Sequence, residues 1–361
     1  MIAVEGRPFS FDEIVGQKGI VRELKNYSLN CSFPEVMIFV GESGTGKTTL
    51  ARIVAALIND PDPIKKDDHL DPNPESPESK AIRSEKFDRN TYFFKAGGMT
   101  KEEVLKLEDI AGSTSLYGGK NVMIIDEAQE LSKAGKGIAL NLLEKKHRNT
   151  HIILCTMNPD AFDKSIRQRG LFYTFRSPTV TDIATNLFNI LDRKKIDVPD
   201  EFIMKGLILI AENCEGSVRG SVQILQRCLG GKFFTVEEIE QEFGILGLSK
   251  LADILFSFVN FGEKGFETVR RQDPKEFFFS SYKFITDCLV YLRTGVSDAE
   301  WKADQYDRFK NAEPQLSELF LIYADVERNL RTVFNSSYFF CRLSEIYKQK
   351  KLPAKPVERT R

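Results

Sequence analysis

The feature that most constrains the fold is a glycine-rich loop between an apolar run and an amphipathic helix pattern. Residues 41–48 read GESGTGKT, which matches the phosphate-binding pattern G-x-x-x-x-G-K-[ST]. The apolar run Val36–Val40 before the loop is typical of a buried strand. After the loop, apolar residues recur at helical spacing: Leu50, Ile53, Val54, Leu57 and Ile58. A strand, a phosphate loop and a helix in this order predict a nucleotide-binding α/β domain.

The loop residues have the chemistry that a bound triphosphate requires. A backbone that wraps closely around phosphates needs residues without a Cβ atom, a need that Gly41, Gly44 and Gly46 meet. Lys47 would reach the β- and γ-phosphates, and the Thr48 hydroxyl would bind Mg²⁺. The sequence therefore predicts a site for a nucleoside triphosphate and Mg²⁺. The expected nucleotide contacts in and beside the loop are Gly41, Glu42, Ser43, Gly44, Thr45, Gly46, Lys47, Thr48 and Thr49.

Composition limits the class of protein. A chain of 361 residues with 42% hydrophobic residues can build two or three domains with substantial cores. The formal charge of -1 gives no overall positive field, so any DNA contact must come from a local patch. The six cysteines form no C-x-x-C pair, which argues against a zinc module and for reduced thiols. Without a signal-peptide pattern or a long apolar run, we expect a cytoplasmic protein without membrane contact.

Strand-like runs alternate with helical patterns up to residue 177, which predicts a parallel sheet covered by helices. The candidate strands are Val36–Val40, Tyr92–Phe94, Val122–Ile125, Ile152–Thr156 and Leu171–Phe175. Residues 59–90 are polar and rich in proline and charge, so we expect a mobile loop or insertion there. Three helices over residues 178–245 predict a small helical domain. Residues 246–352 predict a further helical domain with a core rich in phenylalanine, followed by a basic tail over residues 353–361.

Polar residues follow two of the predicted strands. Asp126 and Glu127 end a buried run, where a nucleotide-hydrolysing sheet places its acidic residues. Asp126 would hold Mg²⁺, and Glu127 would orient and polarise the attacking water. Thr156 and Asn158 end the next strand, beside the expected γ-phosphate. A plain strand end with an Asn-Pro turn remains the alternative for these two residues.

Taken together, these motifs resemble those of the AAA+ ATPases. Within that class they resemble the clamp-loader ATPase subunits of the bacterial DNA polymerase III gamma/tau type or the replication-factor-C type. The likeness begins with RPFSFDEIVGQ at residues 7–17 and continues through the phosphate loop and the box Asp126–Gln129. It then includes the sensor position Thr156 and the segment Gly216–Arg219, which is similar to the start of a sensor 2 helix. The motifs cover roughly residues 7 to 230, and the remaining residues match only in being helical.

The resemblance implies an AAA+ P-loop domain with a five-stranded parallel sheet over residues 1–177, a helical lid over 178–245 and a helical oligomerisation collar over 246–352. It implies that Val15, Gly16 and Gln17 lie near the adenine. Arg169 is the candidate arginine finger for a neighbouring subunit, with Arg167 as its competitor. Arg219 would contact the nucleotide within its own subunit. Thr100 and Lys101 at a helix start are candidate DNA contacts.

The function implied is ATP-driven opening of a DNA polymerase sliding clamp, with hydrolysis triggered by primer–template DNA. The implied partners are other clamp-loader subunits in a homo- or hetero-oligomeric pentamer, the sliding clamp and DNA. Gln168-Arg169-Gly170 replaces the S-R-C of the family, and the zinc-binding cysteine cluster of gamma/tau chains is missing. A divergent, phage-encoded loader without zinc would fit both departures. The alternatives are an AAA+ remodeller of the Holliday-junction-motor type and a scaffold subunit that binds nucleotide without turnover.

Overall fold

The structure is a computed structural model. It describes residues 7–87, 89–99, 101–115, 117–144, 149–158, 169–214, 216–243, 248–261, 269, 274–296, 300–329, 339 and 343–344. The chain divides into two compact units, Met1–Val236 and Glu237–Arg361. The finer domain boundaries expected from the sequence stay predictions.

Seven strands are present among the described residues, all of them in the first unit. They are β1 Val36–Val40, β2 Ile64–Lys65, β3 Leu70–Asp71, β4 Thr91–Lys95, β5 Asn121–Asp126, β6 Thr150–Thr156 and β7 Leu171–Thr174. The helices of this unit are α1 Lys18–Leu29, α2 Lys47–Ile58, α3 Pro77–Arg83, α4 Lys101–Gly112, α5 Lys133–Glu144, α6 Val180–Arg193, α7 Leu207–Glu212 and α8 Val218–Gly231. A single turn of 3₁₀ helix over Phe11–Glu13 precedes α1, and another over Ala128–Glu130 follows β5.

Five parallel strands form the central sheet in the order β4-β5-β6-β1-β7. All five were predicted from the sequence, with ends that differ by at most two residues. Strand β1 lies between β6 and β7, with Val36 opposite Ile152 and Met37 opposite Leu171. Because the strands are parallel, their carboxyl ends meet at one edge, which collects the predicted site residues. The fold class is therefore confirmed.

Both faces of the sheet are covered, which explains why its strands are apolar throughout rather than alternating. Met37 and Phe39 face one core, and Ile38 and Val40 face the other, as the two-residue period of a strand requires. The first core also takes the buried face of α2, in which nine of twelve residues are buried. This packing fixes the helix that follows the phosphate loop directly against the sheet.

The segment over residues 59–90 differs from its prediction. Instead of a loop alone, it contains the antiparallel hairpin β2–β3 and helix α3, which has the N-cap Ser76 and Pro77 in its first turn. Glu78 is buried and accepts a 2.5 Å hydrogen bond from the Thr91 hydroxyl of the sheet. The prolines and charged residues that suggested a loop belong to a folded insertion. There they lie at helix starts and turns or form ion pairs.

Three helical segments follow the sheet, as predicted. Helix α6 begins with a capping box between Thr179 and Asp182, and α8 begins at the N-cap Ser217. Helix α7 continues a π-helical turn over Phe202–Gly206. All three belong to the first unit.

The second unit is helical in every element that the structure describes there, and this confirms the expected helical C-terminal region. Its helices are α9 Val236–Phe243, α10 Leu248–Phe261, α11 Pro274–Thr294, α12 Glu300–Asp307 and α13 Glu313–Asn329. The expected aromatic core is present: Phe278 stacks on Tyr323 and lies edge-on to Phe339. Phe279, also expected in the core, is half exposed. Across the described residues of both units, no helix combines the length and the apolar character that crossing a membrane needs.

We expect Phe39→Ala to lower the free energy of unfolding by about 3–5 kcal/mol, because Phe39 is fully buried against Tyr173 and Phe175 at the centre of the sheet. Denaturant titration of the full chain measures this change. Phe172→Ala, the same change on a partly exposed residue of neighbouring β7, should cost about 1 kcal/mol or less. Equal losses for the two variants would contradict the described sheet core.

Candidate nucleotide-binding site

The phosphate loop leaves the carboxyl end of β1 and is anchored on both sides by neighbouring strands. The Gly41 N–H donates to the Thr156 carbonyl at 3.1 Å, and the Phe175 N–H donates to the Val40 carbonyl at 2.6 Å. Gly44 and Gly46 have φ values of +80° and +96°, which L-residues with a side chain rarely adopt. The loop therefore has the glycine-dependent conformation that its sequence predicts.

Lys47 begins helix α2, and its side chain folds back into the loop. Its Nζ donates to the carbonyls of Gly41 and Glu42, both at 2.7 Å. The side chain is buried, and burial lowers the pKa of the Lys47 ammonium. A partly desolvated ammonium beside backbone N–H groups is suited to bind a phosphate oxygen. The phosphate oxygen would then replace the two carbonyls as the acceptor of the Lys47 hydrogen bonds.

Thr48 and Asp126 meet at the same edge. The Thr48 hydroxyl lies 3.1 and 3.0 Å from the two carboxylate oxygens of Asp126. A hydroxyl and a carboxylate side by side are oxygen ligands of the kind that Mg²⁺ prefers beside phosphates. The residues present therefore fit the ion that the loop motif implies.

Glu127 follows Asp126 in a left-handed backbone conformation, with a φ of +52°. Its carboxylate is partly exposed and lies 3.4 Å from the ammonium of Lys95. Lys95 ends β4 directly opposite Asp126 in the sheet register, and sequence reasoning missed it. The only sequence signal for Lys95 was its position directly after the apolar run of β4.

Thr156 is buried at the end of β6 and is linked to the acidic box. Its hydroxyl donates to the Gln129 side-chain oxygen at 3.0 Å, and the Met157 N–H donates to the same oxygen at 3.2 Å. The Asn158 N–H contacts the Thr156 hydroxyl at 3.2 Å, as in a compact strand end. Gln129 was not singled out in the sequence, although it connects the two strand ends.

The cleft continues from the loop into an apolar slot. One wall comes from the N-terminal segment, with Arg7, Pro8, Ile14 and Val15. The other comes from the helices after the sheet: Asn186, Ile190, Val218, Arg219 and Val222. The first wall belongs to the predicted entry segment at residues 7–17, and Val218 and Arg219 belong to the predicted sensor 2 segment. Asn186, Ile190 and Val222 lay in no predicted motif. A slot between apolar side chains, leading away from the phosphate loop, is suited to a planar base.

Gly16 and Gln17 lie beside this slot rather than in its lining. The Gln17 side chain makes two hydrogen bonds with the backbone of Arg176, to its carbonyl at 2.6 Å and from its N–H at 3.2 Å. Gly16 has a φ of +66° and lies against Pro178. These residues anchor the N-terminal segment to the chain just after β7, and their nearness to an adenine stays a prediction.

Helix α8 reaches the phosphate loop through its N-terminus. The Val218 N–H donates to the Gly44 carbonyl at 3.2 Å, and a Cβ atom on Gly44 would overlap the Ser217 hydroxyl. Arg219 follows in the first turn and lines the cleft, where its charge helps to lower the pKa of Lys47. The loop and the predicted sensor 2 segment are thus in direct contact.

The other predicted residues lie outside the cleft lining. Arg169 is exposed and pairs with Glu144 at 3.0 Å. Arg167 and Thr100 lie outside the described residues, and of Lys101 only the backbone is described, at the start of α4.

Comparison with known proteins finds sequence relatives of this chain. The sequence profile of the family described as "DNA polymerase III, delta subunit" matches residues 16–179. DNA polymerase III subunit gamma of Buchnera aphidicola subsp. Baizongia pistaciae is 28% identical over 265 residues, which are 72% of this chain and 69% of that protein. DNA polymerase III subunit tau/gamma of Haemophilus influenzae is 26% identical over 259 residues, 71% of this chain and 36% of that protein. Protein STICHEL-like 2 of Arabidopsis thaliana is 29% identical over 251 residues, 69% of this chain and 28% of that protein.

The parallel sheet, the phosphate loop, the acidic box and the helices after the sheet define a P-loop ATPase of the AAA+ class. In sequence, the chain is similar to the gamma and tau subunits of DNA polymerase III, which supports a clamp-loader-type ATPase. The resemblance expected from the motifs is therefore confirmed. The ligand class of the cleft is a nucleotide.

We expect Gly44→Ala to weaken ATP binding roughly tenfold, because an L-residue at this φ costs about 1–2 kcal/mol and its Cβ meets Ser217. Titration with a fluorescent ATP analogue measures the affinity. Gly230→Ala is the matched control, since it has open space in α8 and should raise stability by about 1 kcal/mol without changing binding. Unchanged affinity in Gly44→Ala would contradict the role of this loop.

Proposed function

We propose that the chain is an ATP-hydrolysing subunit of a sliding-clamp loader that acts in the cytoplasm. The observation that carries this proposal is the meeting of Thr48, Asp126 and Glu127 beside a phosphate loop that helix α8 touches directly. A site with both a metal-binding pair and a candidate base has the parts that phosphoanhydride hydrolysis needs. The gamma and tau relatives support the clamp as the client.

The proposed chemistry divides among the residues at this edge. The loop N–H groups and Lys47 bind and orient the triphosphate of ATP, while Thr48 and Asp126 hold Mg²⁺. The ion supplies charge neutralisation at the phosphates when bound. Glu127 orients the attacking water and accepts its proton, and Thr156 with Gln129 fixes the neighbouring strand end. An intact set of these residues argues against a scaffold subunit without turnover.

Lys95 would restrain Glu127 in the resting site. An ammonium 3.4 Å from the carboxylate competes with the attacking water for the same oxygen. Hydrolysis then requires the pair to separate, and a partner that draws Lys95 away would stimulate it. DNA, as a polyanion, has the charge to do so.

We expect Lys95→Ala to raise the ATPase rate without DNA about two- to fivefold, because an exposed ion pair is worth about 0.2–1 kcal/mol. Glu127→Gln should abolish turnover and retain ATP binding. Steady-state phosphate release measures both rates. Lys106→Ala, an exposed lysine on α4, serves as the control and should leave the rate unchanged. A slower Lys95→Ala enzyme would contradict the restraining role of the pair.

The two arginines should have separable effects. Arg169 is exposed outside the cleft lining, so as a finger it would act on the ATP of a neighbouring subunit, whereas Arg219 lines its own cleft. A guanidinium at the γ-phosphate stabilises the charge of the transition state and makes hydrolysis depend on assembly. The competing position, Arg167, is tested in the same way.

We expect Arg169→Ala to leave the ATP affinity of the isolated chain within about twofold but to lower turnover of the assembled complex at least about a thousandfold. Arg219→Ala should weaken ATP binding already in the isolated chain. Nucleotide titration and assembled-complex kinetics separate the two. Arg176→Ala, whose backbone alone bonds Gln17, is the control. Full turnover in Arg169→Ala with loss in Arg167→Ala would transfer the finger role to Arg167.

The partners follow from the proposed activity: related ATPase subunits in a pentamer, a ring-shaped clamp and primer–template DNA, with Thr100 and Lys101 as candidate DNA contacts. Reconstitution with the cognate clamp and primed DNA tests the proposal. ATP should support clamp deposition on DNA, and Lys47→Ala should abolish it. A homo-oligomer that moves DNA junctions and does not bind the clamp would instead indicate an AAA+ remodeller of the Holliday-junction-motor type.

A further inference from the structure

The insertion contributes two buried residues to a cluster of potential metal ligands away from the nucleotide cleft. His69 and Asp71, on either side of Leu70 in the hairpin β2–β3, are 1% and 2% exposed. Asp12, from the 3₁₀ turn before α1, lies beside them. One ligand atom from each of the three residues falls within 4.8 Å of the others.

The orientation of the His69 ring makes this cluster unusual. Its Nδ1 lies 2.6 Å from an Asp68 carboxylate oxygen, so in the neutral ring the proton belongs on Nδ1 and Nε2 carries a lone pair. Nε2 then faces the Asp71 Oδ2 oxygen at 3.2 Å. Although so close, these two buried atoms make no hydrogen bond with each other or with any other described residue. Two buried acceptors facing each other are unfavourable unless a cation lies between them.

The distances suit a small divalent ion. In a tetrahedral zinc site with bonds of about 2.0–2.2 Å, neighbouring ligand atoms are separated by about 3.3–3.6 Å. The separation from His69 Nε2 is 3.2 Å to Asp71 Oδ2 and 3.9 Å to Asp12 Oδ2. The Asp68–His69 bond would orient the ring in the way that a carboxylate orients a metal-binding histidine.

The charges agree with the distances. The Asp12, Asp68 and Asp71 carboxylates contribute three negative charges, and Lys25, bonded to Asp12 and Asp68, contributes one positive charge. The sum of -2 is neutralised by one divalent cation. An imidazolium at His69 would still leave its Nε2–H without a hydrogen bond.

We propose that His69, Asp71 and Asp12 form a structural binding site for a zinc-class divalent cation, with Asp68 orienting His69. The Asp71 Oδ1 oxygen accepts the Phe11 N–H at 2.9 Å, and the Leu70 N–H donates to the Ser28 hydroxyl at 2.9 Å. The ion therefore joins the insertion to α1 and to the segment that leads into Ile14 and Val15 of the nucleotide slot. The missing cysteine cluster led us to expect a chain without zinc. The proposed site differs from that expectation because its ligands are histidine and aspartate.

The test uses the full chain in buffer without nucleotide or magnesium, titrated with Zn²⁺ by calorimetry. One tight site per chain is expected, and Asp12→Asn should weaken it at least about tenfold. Asp12 is exposed, so this variant should still fold, and His69→Gln gives an independent loss of a ligand. Asp67→Asn, an exposed neighbour in the same hairpin, is the matched control and should bind as the unchanged chain does.

Two further measurements identify the ligands. Co²⁺ in the site should give the visible absorption of a tetrahedral ion without the near-ultraviolet band of thiolate ligands, which excludes the exposed Cys31. Zn²⁺ should raise the melting temperature of the unchanged chain but not that of Asp12→Asn. No stoichiometric uptake, or equal affinity in Asp12→Asn and Asp67→Asn, would overturn the proposal. A melting temperature that ignores Zn²⁺ and falls as pH rises through the imidazole range would assign the cluster to a buried imidazolium instead.

Discussion

The pairing of β1 on both sides determines most of what the site can do. Strands β6 and β7 hydrogen-bond the two edges of β1. This pairing fixes the register of β1, and therefore the position at which the phosphate loop leaves the sheet. The Gly41 N–H then reaches the Thr156 carbonyl, and the Val40 carbonyl receives the Phe175 N–H. Because β5 pairs in parallel with β6, its acidic end lies at the same edge of the sheet. A shift of β1 by one residue would exchange its two buried faces and move the loop away from Asp126.

The second constraint is the direct contact between the loop and helix α8. The Val218 N–H bonds the Gly44 carbonyl, and Ser217 occupies the space that a Gly44 side chain would need. A change in the loop on nucleotide binding would therefore act directly on the N-terminus of α8, where Arg219 lies. This contact gives a physical route from ligand state to the helices after the sheet.

The sequence predicted those parts of the molecule in which local pattern and local chemistry agree. The strands, helix α2 and the acidic box could be predicted because apolar periodicity and glycine spacing depend on near neighbours in the chain. The structure of the insertion could not, because Glu78 and Asp71 accept hydrogen bonds from residues far along the chain, Thr91 and Phe11. Lys95 and Gln129 were missed for the same reason: their roles depend on register across the sheet. Gln17 showed the converse, a motif residue whose side chain holds the backbone of Arg176.

We infer that one nucleotide site spans the phosphate loop and the start of α8. Hydrogen exchange of the backbone amides, with and without a nonhydrolysable ATP analogue and Mg²⁺, tests this directly. We expect the amides of residues 43–49 and 217–222 to gain protection together, at the same analogue concentration. Protection of the loop without any change at the start of α8, or protection only elsewhere in the chain, would contradict it.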